Sequence, residues 1–129
     1  MRIKNNQAIL NAPFGSILLT FADGDLIKCE LSEAAVEEDL GSFVGHKAVK
    51  ALQSYLKGDI HVLDSWKPSE DGTEFRRRVW KEIAKVRAGD TVTYGQIADS
   101  LDSSPRAVGS ACGDNPLPIF VGCHRVVGK

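Results

Sequence analysis

Thr93-Tyr94-Gly95-Gln96-Ile97-Ala98-Asp99-Ser100-Leu101-Asp102-Ser103-Ser104-Pro105-Arg106-Ala107-Val108-Gly109-Ser110-Ala111-Cys112-Gly113 decides how the second half of this chain folds. Thr93 and Gln96 have the spacing of a capping box, in which each side chain satisfies a backbone donor of the first helical turn. Ile97, Ala98 and Leu101 follow at helical spacing. Ser104 then offers a second N-cap, with Pro105 at the first helical position, where its missing N–H costs nothing. This second helix should run to about Cys112, with Gly113 as its stop. Upstream, Thr73 can cap a helix that carries Phe75, Val79, Ile83 and Val86 as one apolar stripe and ends at Arg87-Ala88-Gly89-Asp90. Two short helices joined by a tight turn on a third make a helix-turn-helix arrangement.

The first half reads differently. Ile17-Leu18-Leu19-Thr20-Phe21 and Leu26-Ile27-Lys28-Cys29-Glu30-Leu31 are short apolar strands flanking Ala22-Asp23-Gly24-Asp25. Asp-Gly in such a gap signals a hairpin. From about Val44 to Lys57, Ala48, Leu52, Tyr55 and Leu56 recur at helical spacing, and Gly58 is a plausible stop. Trp66 to Gly72, with Pro68 and polar neighbours, reads as a linker. The fold class expected is therefore α+β. Residues 1–72 would be a small α/β domain with a short antiparallel sheet, and residues 73–129 a helical, winged-helix-like domain.

With 129 residues, 43% hydrophobic and 26% charged, the chain can bury a core and stay soluble. No apolar run reaches membrane-spanning length and the N-terminus lacks a signal-peptide layout, so a cytoplasmic protein without membrane attachment is expected. Cys29, Cys112 and Cys123 are odd in number and widely spaced, which argues against a disulfide framework or a zinc cluster. His46 and His61 have no metal-like spacing to them, so no metal site is expected. Cys29 reads as a small buried hydrophobe, and Cys112 as a helix-end residue packed inward. The net charge of −1 conceals an asymmetry. Residues 1–73 carry 7 basic and 11 acidic side chains, giving −4, whereas residues 74–129 carry 9 and 6, giving +3. The basic half would face an anionic partner. Arg76-Arg77-Arg78 reads as a solvated helix face and not as a site.

Asn115-Pro116-Leu117-Pro118-Ile119-Phe120-Val121-Gly122-Cys123-His124-Arg125-Val126-Val127 places a thiol beside an imidazole after a short apolar run. Thiol chemistry needs the thiolate, and a nearby proton acceptor is one route to it. Neighbours in an extended segment point to opposite sides, so a direct Cys123–His124 contact would need a turn or a bridging water. The helix Pro105-Arg106-Ala107-Val108-Gly109-Ser110-Ala111 lacks the long polar side chains of a base-reading helix. Its small residues fit two readings: close packing against a neighbouring helix, or close approach of its backbone to a minor groove.

The ordered set Thr73-Glu74-Phe75 with Val79-Trp80, Thr91-Val92-Thr93-Tyr94-Gly95, Arg106-Ala107-Val108-Gly109, and Asn115-Pro116 running into Cys123-His124-Arg125-Val126 closely resembles the O6-alkylguanine-DNA alkyltransferases, or methylated-DNA–protein-cysteine methyltransferases. The resemblance is strongest from Thr73 to Gly128 and looser over the first half, through Pro13-Phe14-Gly15 and Tyr55-Leu56-Lys57-Gly58. It implies direct-reversal DNA repair, in which Cys123 irreversibly accepts the alkyl group from O6 of guanine, once per molecule and without a cofactor. His124 would help form the thiolate through a water, and Asn115 would hold the turn before the active-site segment. Tyr94 would contact the guanine and crowd its phosphate, and Arg106 would occupy the vacated place in the base stack. Ala107 and Gly109 would lie in the minor groove, and the carbonyls of Cys123 and Val126 would accept hydrogen bonds from the base. The partner implied is double-stranded DNA carrying O6-alkylguanine, with no obligate protein partner.

Two departures bear on these expectations. The family usually has proline where this chain has Gly122, which predicts a looser or re-routed segment with slower transfer. The family also continues past the position of Lys129, through a glycine-rich loop and a helix that supply a glutamate to orient the histidine. Without them His124 would be a weaker proton acceptor. Two other readings stand beside repair: a non-catalytic binder like the alkyltransferase-like proteins, which usually replace the reactive cysteine, and a helix-turn-helix regulator with an incidental cysteine.

Overall fold

The computed structural model describes residues 3–128, and the chain divides into two compact units, residues 1–62 and 63–129. The class is α+β. The stretch 66–72, read from the sequence as a linker, falls in the second unit. Trp66 tilts against Phe120 there, with ring centroids 4.9 Å apart.

In the first unit β1 (Gln7–Ala12), β2 (Gly15–Ala22) and β3 (Asp25–Ser32) form an antiparallel sheet in the order β1-β2-β3. The expected hairpin turns at Asp23 and Gly24, both at positive φ (51° and 81°), the pattern that matches the twist of the flanking strands. On β2 every second residue, Ile17, Leu19 and Phe21, is buried. Leu19 pairs with Ala8 on one side and Cys29 on the other. Burial pushes the Cys29 thiol up to about 12, with the Glu30 charge adding to it, so this sulfur stays protonated and apolar in character.

Strand β1 was not anticipated. The helix α1 (Lys47–Leu56) also starts later than expected, after a 3₁₀ turn at Gly41–Phe43. His46 caps α1: its Nδ1 accepts from the Ala48 amide at 3.0 Å, while Nε2 donates to the Gly24 carbonyl at 2.6 Å. Its ring, with Phe43, packs on Phe21. Ala48, Val49 and Leu52 form the buried face of α1.

The second unit contains α2 (Glu74–Ala84), β4 (Val92–Thr93), α3 (Tyr94–Ser100), α4 (Pro105–Gly113) and β5 (Val126–Val127). All three caps read from the sequence are made. Thr73 Oγ1 accepts from Arg76 N at 3.2 Å, and Ser104 Oγ from Ala107 N at 3.2 Å. Thr93 and Gln96 close the full capping box at 3.0 and 2.8 Å. Residues 101–104 join α3 to α4, with Asp102 at φ 54°. Gly113 is the last residue of α4 and not its stop; Asp114 is the C-cap. Val86 lies beyond the end of α2, whose buried residues are Val79, Trp80 and Ile83. Together with Ile97, Ala98, Val108, Ala111, Leu117, Phe120 and Val121 they make the core of this unit. The buried Trp80 indole donates to the Ala111 carbonyl at 2.9 Å and ties α2 to α4. Arg76 pairs with Asp114 at 2.8 Å, so this member of the arginine run has a partner at the end of α4. No helix among the described residues is long and apolar enough to cross a membrane.

Candidate alkyl-acceptor site

The chain leaves α4 through a loop that returns it to Cys123, and Asn115 holds that loop closed. Its Oδ1 accepts from Leu117 N at 3.0 Å; its Nδ2 donates to the Val121 carbonyl at 3.0 Å and to Cys123 Sγ at 3.3 Å. One amide thus fixes both ends of the loop and touches the sulfur. Inside the loop Ile119 sits at φ 73°, a left-handed conformation that a β-branched residue adopts at a cost of roughly 1–2 kcal/mol. Strain of this kind persists only where the surroundings over-determine the backbone.

Gly122 precedes the sulfur at φ −78° and ψ 66°. The Cys123 amide bonds to the Val121 carbonyl at 2.9 Å, which closes an inverse γ-turn around Gly122. The re-routing expected from glycine is therefore absent, since this φ is one that proline also adopts. What glycine provides is room. A Cβ here would stand 3.0 Å from Cδ and Nε of Arg125. Arg125 is buried, donates to the Val86 carbonyl at 2.9 Å, and faces Asp64 at 3.7 Å. Asp64 also accepts from the Ala88 amide at 2.9 Å.

Cys123 opens a 3₁₀ turn, Cys123–Arg125, that runs directly into β5. β5 pairs in parallel with β4, Val126 beside Val92 and Val127 beside Thr93. The strand leaving Cys123 therefore lies against the strand leading into Tyr94. Tyr94 is half-buried at the start of α3, and a Cβ on Gly109 would meet its ring at 3.8 Å. Gly109 and Tyr94 thus form one close α3–α4 contact. Arg106 is exposed and Ala107 half-buried in the first turn of α4, roughly 9 Å along the axis from Cys112 at the far end.

Cys123 itself is half-buried. The Cys123 pKa is lowered, first by the neighbouring Cys112 thiol and further by the Asn115 amide, against the opposing effect of burial. Cys112 moves the opposite way and keeps its proton. His124 is exposed and, among the described residues, makes no hydrogen bond to Cys123. Partial burial and the neighbouring Arg125 charge lower its pKa, leaving it neutral at pH 7. Cys123, Asn115 and Val126 are thus brought together, with Tyr94 and Gly109 in contact and Arg106 at the other end of α4. The sequence reading did not foresee the roles of Arg125 and Asp64. No cluster that could hold a metal ion occurs among the described residues.

Comparison with known proteins agrees with this geometry. A profile described as the DNA binding domain of 6-O-methylguanine DNA methyltransferase matches residues 74–129. The methylated-DNA–protein-cysteine methyltransferase of Metallosphaera sedula is 38% identical over 120 residues, which cover 92% of this chain and 76% of the relative. The chain belongs to this methyltransferase family. Its fold is also that of solved family members. The crystal structure of Mycobacterium tuberculosis O6-methylguanine methyltransferase matches with a TM-score of 0.75 at 30% identity, over 95% of this chain and 78% of that one. A structure from the same organism in complex with DNA matches with a TM-score of 0.70 at 32% identity, over 93% and 76%. The methyltransferase family's DNA-binding domain thus coincides with the unit that holds Cys123.

Proposed function

We propose that this protein repairs O6-alkylguanine in double-stranded DNA by direct reversal, with Cys123 as the alkyl acceptor. The observation that carries the reading is a half-buried cysteine on the DNA-binding unit whose sulfur receives the Asn115 Nδ2–H at 3.3 Å. A donor on the sulfur favours its anion, the nucleophilic form. Residues 1–72 would then be an accompanying α/β domain and residues 73–129 the DNA-binding and acceptor domain.

A base stacked in a duplex cannot meet a sulfur in line, so the nucleotide must leave the stack, at a cost of a few kcal/mol that is least for a badly pairing lesion. Arg106, exposed on the first turn of α4, would fill the gap, with Ala107 and Gly109 letting that helix lie close in the minor groove. Tyr94 would contact the extruded guanine, and the carbonyls of Cys123 and Val126 would accept its hydrogen bonds. The thiolate of Cys123 then attacks the alkyl carbon. A C–S bond forms as the C–O6 bond breaks, and the electron pair leaves with the guanine, which takes up a proton. His124, neutral at pH 7 and open to water, can carry the thiol proton to solvent through a water molecule. The step as written needs no cofactor. The thioether is stable, so each molecule acts once. Three free thiols suit a reducing, cytoplasmic setting.

Incubation with an O6-methylguanine duplex should add one methyl group to the Cys123 peptide, read by mass spectrometry, and Cys123→Ala should abolish the gain. Lesion binding without mass gain would establish a non-catalytic binder instead. Sequence-selective binding of undamaged duplex would establish a regulator.

A further inference from the structure

Arg125 is the one buried charged side chain among the described residues, and it stands two positions after Cys123 in the same 3₁₀ turn. Its backbone amide closes that turn on the Gly122 carbonyl at 2.9 Å. Its side chain runs past Gly122, where a Cβ would come within 3.0 Å of Cδ and Nε. One guanidinium nitrogen donates to the Val86 carbonyl at 2.9 Å and faces an Asp64 carboxylate oxygen at 3.7 Å. The same Asp64 oxygen accepts from the Ala88 amide at 2.9 Å, and the other lies 3.5 Å from Arg87 Nε. Val86, Arg87 and Ala88 belong to the segment between α2 and β4. The turn that carries the sulfur is thus fastened to the chain that leads into Tyr94. A buried ion pair is weak grounds for stability, since apolar side chains of similar volume often serve as well; what it can add is one fixed arrangement. Resting on the alkyl-acceptor reading above, we propose that Arg125 and Asp64 are a positioning pair for the reaction, holding the Cys123–Arg125 turn so that the sulfur meets the alkyl carbon in line.

Misplacing an attacking atom by about 1 Å costs on the order of a hundredfold in rate. Asn115 holds the sulfur from one side, and the β4–β5 pairing holds the strand that follows the turn. Loss of the ion pair leaves those two contacts in place and frees the turn between them to shift. A small alkylating reagent in solution can approach the sulfur from any open direction, whereas a guanine held in DNA cannot. The pair should therefore govern transfer from DNA and leave the reaction with iodoacetamide unchanged. Side chains that merely pack would move both rates together, or neither.

The measurement is single-turnover methyl transfer from an O6-methylguanine duplex, with the rate at saturation separated from the half-saturating concentration. It compares the full chain with Asp64→Asn, which keeps an acceptor for the Ala88 amide and removes the charge. A double variant, Asp64→Asn with Arg125→Met, removes both charges and leaves none buried without its partner. In both variants the rate at saturation should fall roughly 10- to 100-fold. The half-saturating concentration and the iodoacetamide rate on the Cys123 peptide should stay at the parent values. Arg125→Lys, which keeps a donor for Val86 but not the planar fork, should fall between the parent and the double variant. Should Asp64→Asn cost the fold, checked by circular dichroism, the double variant takes its place. A folded double variant that transfers at the parent rate, a loss shared by iodoacetamide, or a change confined to the half-saturating concentration would overturn the proposal. Unfolding of every variant would overturn it too, by making the pair a device of stability. A parent chain that takes no methyl from DNA would sink the repair reading and this proposal with it, whereas an active parent with undiminished variants would sink the proposal alone.

Discussion

At Gly122 the absent side chain serves a neighbour. The backbone angles there suit other residues, but Arg125 occupies the space a Cβ would take, and Arg125 is itself fixed by Val86 and Asp64. Gly122→Ala should therefore cost about 1–2 kcal/mol through overpacking. Alanine and proline meet the same crowding and both restrict the unfolded chain, which returns about 0.4–1 kcal/mol in each case. Urea unfolding should place glycine above both variants; alanine at or above glycine would show that Arg125 yields easily. The sequence told much about single residues whose partners are local. Asn115 was expected as a turn holder from the family resemblance alone, and its partners lie within eight residues. The Arg125–Val86 bond spans 39 residues and left no local trace.

At the level of elements, the N-termini of α2, α3 and α4 were legible because a cap is a contact between a side chain and a backbone amide two or three residues on. Strands β4 and β5 were not, being two residues long and defined only by each other. Strand β1 was missed for a related reason: its Ala8-Ile9-Leu10 run is buried throughout and shows no alternation. The start of α1 was displaced because His46, not one of the usual capping residues, closes its first turn. Among the joins between elements, the Trp80–Ala111 bond matters most for the site, since it anchors α4 one residue before Cys112. Trp80→Phe should cost about 2 kcal/mol, from lost volume and one lost buried hydrogen bond. A loss below about 0.5 kcal/mol in urea unfolding would be no more than a surface change brings and would show that this bond does not hold α4.

On the scale of the whole molecule, the charge partition makes a quantitative statement. Residues 74–129 carry a net +3 and contain the family's DNA-binding domain. If that excess neutralises three phosphates, the slope of log affinity against log salt is about −2.7, and duplex affinity falls roughly 40-fold between 50 and 200 mM salt. Titration of a labelled undamaged duplex by fluorescence anisotropy at several salt concentrations checks this, and a flat response would exclude backbone-driven binding.

Both tryptophans, Trp66 and Trp80, belong to the second unit. Light absorbed by indole alone is consequently emitted from residues 63–129, and the first unit stays dark. Trp66, resting on Phe120 three residues before Cys123, is an intrinsic lamp already installed beside the proposed acceptor.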